Sequence, residues 1–185
     1  MTTIEHRLVD AARGTWRIDP AHSPATFSVR HLMSKVRGRF SDVNGMVVIG
    51  DGLASCSVAV SIPTETIDTG VDLRDDDLRS DAFLDTDRFQ TMEFESTRVS
   101  AEEHGGLTVL GNLTIRDVTR PVALEVEYLG RDDTGLRGEP RVGFAARTTI
   151  RRSDFGVGHP TPAGHKVVVS DLVTIELDVE AFLQE

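Results

Sequence analysis

The stretch LTVLGNLTIRDVTRPVALEVEY, residues 107–128, decides the fold class. In its first half Leu107, Val109, Leu113 and Ile115 fall on one side of an extended chain. In its second half Val122, Leu124, Val126 and Tyr128 alternate with Ala123, Glu125 and Glu127. A period of two puts every second side chain on the same face, so each half is a strand with one apolar side. Arg116 to Thr119 between them is a tight turn. Gly111 interrupts the first apolar series, and a bulge or sharp bend is expected there because glycine tolerates both.

The same alternation extends in both directions. Upstream, Phe27, Val29 and His31 oppose Ser28 and Arg30, and Cys56, Val58, Val60 and Ile62 oppose Ser55, Ser57, Ala59 and Ser61 up to Pro63. Met92, Phe94 and Ser96 alternate with Glu93, Glu95 and Thr97. Downstream, Val142, Phe144, Ala146 and Thr148 share a face, as do Val173, Ile175, Leu177 and Val179. With weaker segments around 16–19 and 36–49 this makes eight or nine strands, the number of a small closed barrel or a sandwich. Closure would remove the exposed edges that long strands otherwise present. Aromatic residues make up only 5% of the chain, so few large side chains are available to plug a barrel, which favours a real cavity.

Two stretches depart from the pattern. Ile4, Leu8 and Ala12 recur at helical spacing and predict a short amphipathic helix over residues 3–12. Residues 64–88 are too long and too acidic for a hairpin loop. The segment near 75–84 is expected to be helical, with Leu78 and Phe83 available to cover a barrel end. The sequence thus divides into an N-terminal helical extension, 1–14, and a single barrel domain, 15–185.

At 185 residues the chain is long enough for one sizeable core. The net charge of −10 opposes nucleic acid and anionic membrane surfaces as partners, since both require clustered Lys and Arg. A local basic group at Arg147, Arg151 and Arg152 is read as a solvated face. Glu5, His6, Arg7 and Asp10 interrupt the first residues, leaving neither a signal-peptide apolar region nor a transmembrane span, so a cytoplasmic location is expected. The single cysteine, Cys56, is read as a small buried apolar residue.

Chemical motifs are scarce. Asp75, Asp76 and Asp77 lack the spacing of a calcium loop and are read as a solvated helix N-terminus, where carboxylates complement the helix dipole. His159 and His165 flank the loop GHPTPAGH without cysteine partners or a metal-binding helical spacing. There is no nucleophile elbow and no phosphate-binding loop; Gly50-Asp51-Gly52 is a turn. No catalytic residue, metal or cofactor is assigned. His31 lies on an apolar face, where it is either a hydrogen-bonded core histidine or a contact for the polar head of a ligand.

Seven stretches together resemble the YceI-like family over nearly the whole chain: WRIDPAHS at 16–23, FSVRHL at 27–32, VRGRF at 36–40, LRSDAFLD at 78–85, MEFES at 92–96, GNLTIRDVTRPV at 111–122 and RSDFG at 152–156. The resemblance implies an eight-stranded antiparallel, lipocalin-like barrel whose elongated apolar interior holds a polyisoprenoid or comparable amphiphile. Asp77 stands where such sequences usually carry His, and Gln90 where Pro is common. Many relatives carry an export signal, and none is expected here from residues 1–16.

The sequence therefore predicts non-catalytic binding, transport or storage of a long-chain isoprenoid, such as a quinone tail or a polyprenol. A fatty acid or fatty amide in the same cavity is one alternative. An enzyme acting on an isoprenoid lipid, with His31 as general base, is another, and a filled barrel serving as an interaction module or homodimer is a third. The expected ligand contacts are Phe27, Val29, His31, Phe40, Val58, Val60, Met92, Phe94, Leu113, Ile115, Leu124, Val126, Phe144, Ala146 and Ile175 inside the barrel, with Phe83, Phe89 and Phe155 near an opening.

Overall fold

Alternation of apolar and polar residues is realised in ten strands of one antiparallel sheet. The computed structural model describes residues 3–103, 105–135, 138–158 and 168–184. The strands are β1 (Gly14–Ile18), β2 (Ala25–His31), β3 (Ser34–Phe40), β4 (Asn44–Ile49), β5 (Ser57–Pro63), β6 (Thr91–Ala101), β7 (Leu107–Ile115), β8 (Val118–Asp132), β9 (Arg141–Arg151) and β10 (Val169–Leu183). Eight of them close a ring in the order β1-β4-β5-β6-β7-β8-β9-β10 and back to β1. The eight-stranded antiparallel barrel expected from the sequence is thus borne out.

The hairpin β2–β3 explains why ten strands make a ring of eight. β10 is long enough to pair with two partners on one side. Ala181 to Leu183 bond to β1, and Val169 to Leu177 bond to β2. β1 and β2 therefore act as one strand broken at residues 19–24, and β4 and β3 continue it on their far side. Beyond β3 the wall is joined by one bridge, in which Arg39 and Asp68 exchange backbone hydrogen bonds of 2.9 Å.

Helix α1 (Thr3–Ala12) turns Ile4, Leu8, Val9 and Ala12 into the protein. There they meet Trp16, whose indole nitrogen donates to the Ala12 carbonyl at 2.7 Å. Helix α2 (Asp72–Arg79) starts three residues before Asp75 and stops at Ser80, after which residues 81–84 run as turns. No helix among the described residues is long and apolar enough to cross a membrane.

Two local expectations are corrected. Asp75 is not a solvated carboxylate: it is 5% exposed and accepts hydrogen bonds from the backbone N–H of Thr69, at 3.0 and 3.2 Å, and from its hydroxyl. A buried carboxylate that accepts several donors holds a loop in place, here the turn leading into α2. The bulge expected at Gly111 falls on the partner strand, where Thr97 is the extra residue between Ser96 and Arg98. Gly111 serves a different purpose: a β-carbon there would stand 2.3 Å from the Phe94 ring.

Candidate functional site: an apolar cavity in one half of the barrel

Inward-facing residues divide into two groups along the barrel axis. At one end Trp16, Ile49, Leu53, Leu107, Tyr128, Val142 and Phe144 pack with α1 into a filled core. Tyr128 and Phe144, paired across β8 and β9, bring their rings to 5.5 Å. At the other end the same strands enclose a cavity of about 210 Å³.

The cavity wall is built strand by strand. β2 supplies Phe27 and Val29, and β3 supplies Phe40, whose ring lies 5.7 Å from that of Phe27. β5 gives Val60 and Ile62, and β6 gives Met92 and Phe94. β7 contributes Leu113 and Ile115, and β8 contributes Val122 and Leu124. On β10, Val173, Ile175 and Leu177 complete the staves. Leu78, Phe83, Leu84 and Val157 cover the end from the connecting segments.

Arg116, in the two-residue turn between β7 and β8, ties this cover down. Its guanidinium donates to the carbonyls of Phe83 at 3.1 Å and Gly156 at 2.9 Å, and lies 3.8 Å from the Asp85 carboxylate. The few polar wall members include Thr148 and Arg152. Arg152 donates to the Ser170 and Val157 carbonyls at 3.1 and 2.8 Å.

Eleven of the predicted contacts meet in this wall: Phe27, Val29, Phe40, Val60, Phe83, Met92, Phe94, Leu113, Ile115, Leu124 and Ile175. Seven do not. Phe144 and Val126 face inward but belong to the filled end, and neither Ala146 nor the half-buried Val58 lies in the cavity wall. Phe155 is 2% exposed inside the short 3-10 helix after β9 rather than at an opening. Phe89 lies outside, flanked by Arg88 and Arg116 at 4.9 and 5.5 Å from its ring centre. His31 ends β2 opposite Ser34 and the cavity-lining Val169, but is not itself in the wall.

Other wall residues went unassigned at the level of sequence. Ile62, Val122, Val173 and Leu177 share the alternation of the expected contacts beside them, so the sequence carries their signal. Leu84 comes from a turn, Arg152 from a short helix, and Ile67 and Val157 from irregular chain, where no periodicity marks a face. Among the described residues no three His, Cys, Asp or Glu side chains are grouped to hold a metal ion. His159 and His165 lie outside the described residues.

The YceI-like domain matches residues 16–181. The chain belongs to the YceI-like family. This YceI-like chain is 33% identical over 162 residues to a UPF0312 protein of Vibrio cholerae, covering 86% of the chain and 82% of the relative. It superposes on Burkholderia cenocepacia BcnA with a TM-score of 0.78 at 20% identity, over 88% of this chain and 98% of the other. It also superposes on a polyisoprenoid binding domain from Saccharophagus degradans with a TM-score of 0.64 at 14% identity, over 91% and 98% of the two chains.

Proposed function

We propose that this YceI-like chain carries or sequesters a long-chain apolar lipid, an isoprenoid such as a quinone tail or polyprenol, in the hollow half of its barrel, and performs no chemistry on it. One observation carries the reading: the cavity is walled almost entirely by Phe, Leu, Ile, Val and Met side chains. Hydrocarbon gains about 0.8 kcal/mol per buried CH₂, so a chain binds there without any charged contact. At about 210 Å³ the space is smaller than the roughly 300–1,000 Å³ of pockets for drug-sized molecules. That suits a slender tail entering lengthwise. The Saccharophagus degradans domain with the same fold is described as polyisoprenoid binding, which supports an isoprenoid as the first candidate.

A fatty acid or fatty amide makes the same apolar demand and is the second reading, although the Arg152 guanidinium in the wall is already engaged by the Ser170 and Val157 carbonyls. An enzyme using His31 as general base has no such support, since His31 is not in the wall.

Native mass spectrometry of the purified chain, followed by organic extraction, tests the proposal. A stoichiometric isoprenoid supports it, and a fatty acid moves the assignment to the second reading. A chain that is empty and takes up neither quinones nor fatty acids overturns both.

A further inference from the structure

We propose that the tip and outer face of the β2–β3 hairpin form a docking surface for an anionic lipid membrane. At the tip Met33 is 96% exposed and Leu32 45%. The Leu32 amide donates to the Val168 carbonyl at 2.8 Å, which brings the half-exposed Val168 alongside. Leu172, also exposed, lies in the irregular stretch of β10 opposite Arg30. Apolar side chains gathered this way on a surface mark an interaction site.

Behind the tip the outer face is cationic. Because Phe27 and Val29 point into the cavity, their neighbours on β2 and β3 point out, and Arg30 stands directly opposite Lys35, with Arg37 opposite Ser28. Like charges directly opposed across strands destabilise a sheet. Among the described residues no carboxylate forms an ion pair with Arg30, Lys35 or Arg37; the nearby Asp68, Glu176 and Asp171 are engaged by Arg39, Arg147 and Arg151. Three cations without an ion pair among the described residues, on a chain of net charge −10, are a local field of the opposite sign, and with a protruding apolar tip they match an anionic bilayer. Basic residues supply the approach, and Leu32 and Met33 enter the interface.

The position relative to the cavity gives the docking a purpose. Val29 and Val169, at the base of this tip, both line the cavity, so a membrane held by the tip lies next to the hollow half of the barrel. That purpose rests on the lipid-carrier reading, but docking itself is measured without cargo, so each can fail alone.

The full chain is floated on a density gradient with vesicles of phosphatidylcholine alone or mixed with phosphatidylglycerol. It is compared with the triple variant Arg30→Gln, Lys35→Gln, Arg37→Gln and with Met33→Ser, all at exposed positions, with circular dichroism as the folding check. The chain is expected to float with the mixed vesicles only and to be released by salt. The triple variant should lose roughly a hundredfold in partition, at about fivefold per cation, and Met33→Ser should weaken binding further from the same face. Flotation absent with mixed vesicles, or unchanged in both variants, overturns the docking surface. Lipid extracted from a triple variant that no longer floats leaves the carrier reading standing; flotation of a chain without cargo leaves the docking surface standing.

Discussion

The Phe27 ring lies over Gly38, the residue directly opposite it on β3: a β-carbon at Gly38 would stand 2.4 Å from the end of that ring and 2.8 Å from the Thr69 methyl. The glycine is the space in which a cavity-lining phenylalanine rests. Gly38→Ala is expected to push the ring into the cavity and to cost about 1–3 kcal/mol through overpacking. Urea unfolding of the single variants and of Gly38→Ala with Phe27→Leu checks this. The smaller side chain should recover part of the loss, and strictly additive effects would show that the two positions do not share the space.

Leu124 is half-buried in the cavity wall on β8, next along that face to Val126 of the filled end. Leu124→Trp is expected to fill the hollow half, to leave the melting temperature unchanged or raised, and to reduce bound lipid several-fold. Native mass spectra of the two chains decide it, and undiminished occupancy in a folded variant would move the lipid elsewhere.

The filled end responds differently. Trp16 is fully buried with its indole N–H bonded to Ala12, so Trp16→Ala is expected to cost about 3–5 kcal/mol. The Tyr128 hydroxyl is buried without a hydrogen-bond partner among the described residues, and burial raises its pKa above the ordinary value. Removing a buried polar group that has no partner is nearly neutral or stabilising. Tyr128→Phe should therefore leave the denaturation midpoint unchanged or raise it, and a loss above about 1 kcal/mol would indicate a partner for that hydroxyl.

Asp19, in the break between β1 and β2, accepts from Arg141 at 2.8 Å and pairs with His22 at 2.9 Å. Burial alone would raise its pKa, but the hydrogen bonds from His22, Arg141 and the Ala21 backbone outweigh it and hold the carboxyl at about 2. A carboxyl depressed by folding stabilises the native state above its unfolded pKa of about 3.9, and that contribution fades as the pH falls from about 4 through 2. Asp19→Asn is expected to lower stability by about 1–2 kcal/mol near neutrality and to flatten the acid limb of the stability profile. Urea midpoints from neutral to strongly acidic pH measure both, and an unchanged acid limb would assign the acid sensitivity to other carboxylates.

Much of this molecule was determined by residue order alone. The period of two placed Phe27, Val60, Phe94, Leu113, Leu124 and Ile175 on inward faces, and the i, i+4, i+8 spacing of Ile4, Leu8 and Ala12 placed α1. Both patterns are local, so local sequence carries them. Only the tertiary structure decided depth. Phe144 and Ile150 sit on one face of β9, yet Phe144 fills one end of the barrel and Ile150 lines the cavity at the other. What separates them is distance along the barrel axis from Trp16 and α1, which fill one end only. Alternation reports the side of a strand and is silent on that distance. Asp75 shows the same limit: its sequence neighbours suit a solvated helix start, and the approach of Thr69 buries it. Residues such as Ile67, Leu84, Val157 and Arg152 reach the wall from irregular segments, where the chain path itself, and no repeating pattern, sets the direction of a side chain.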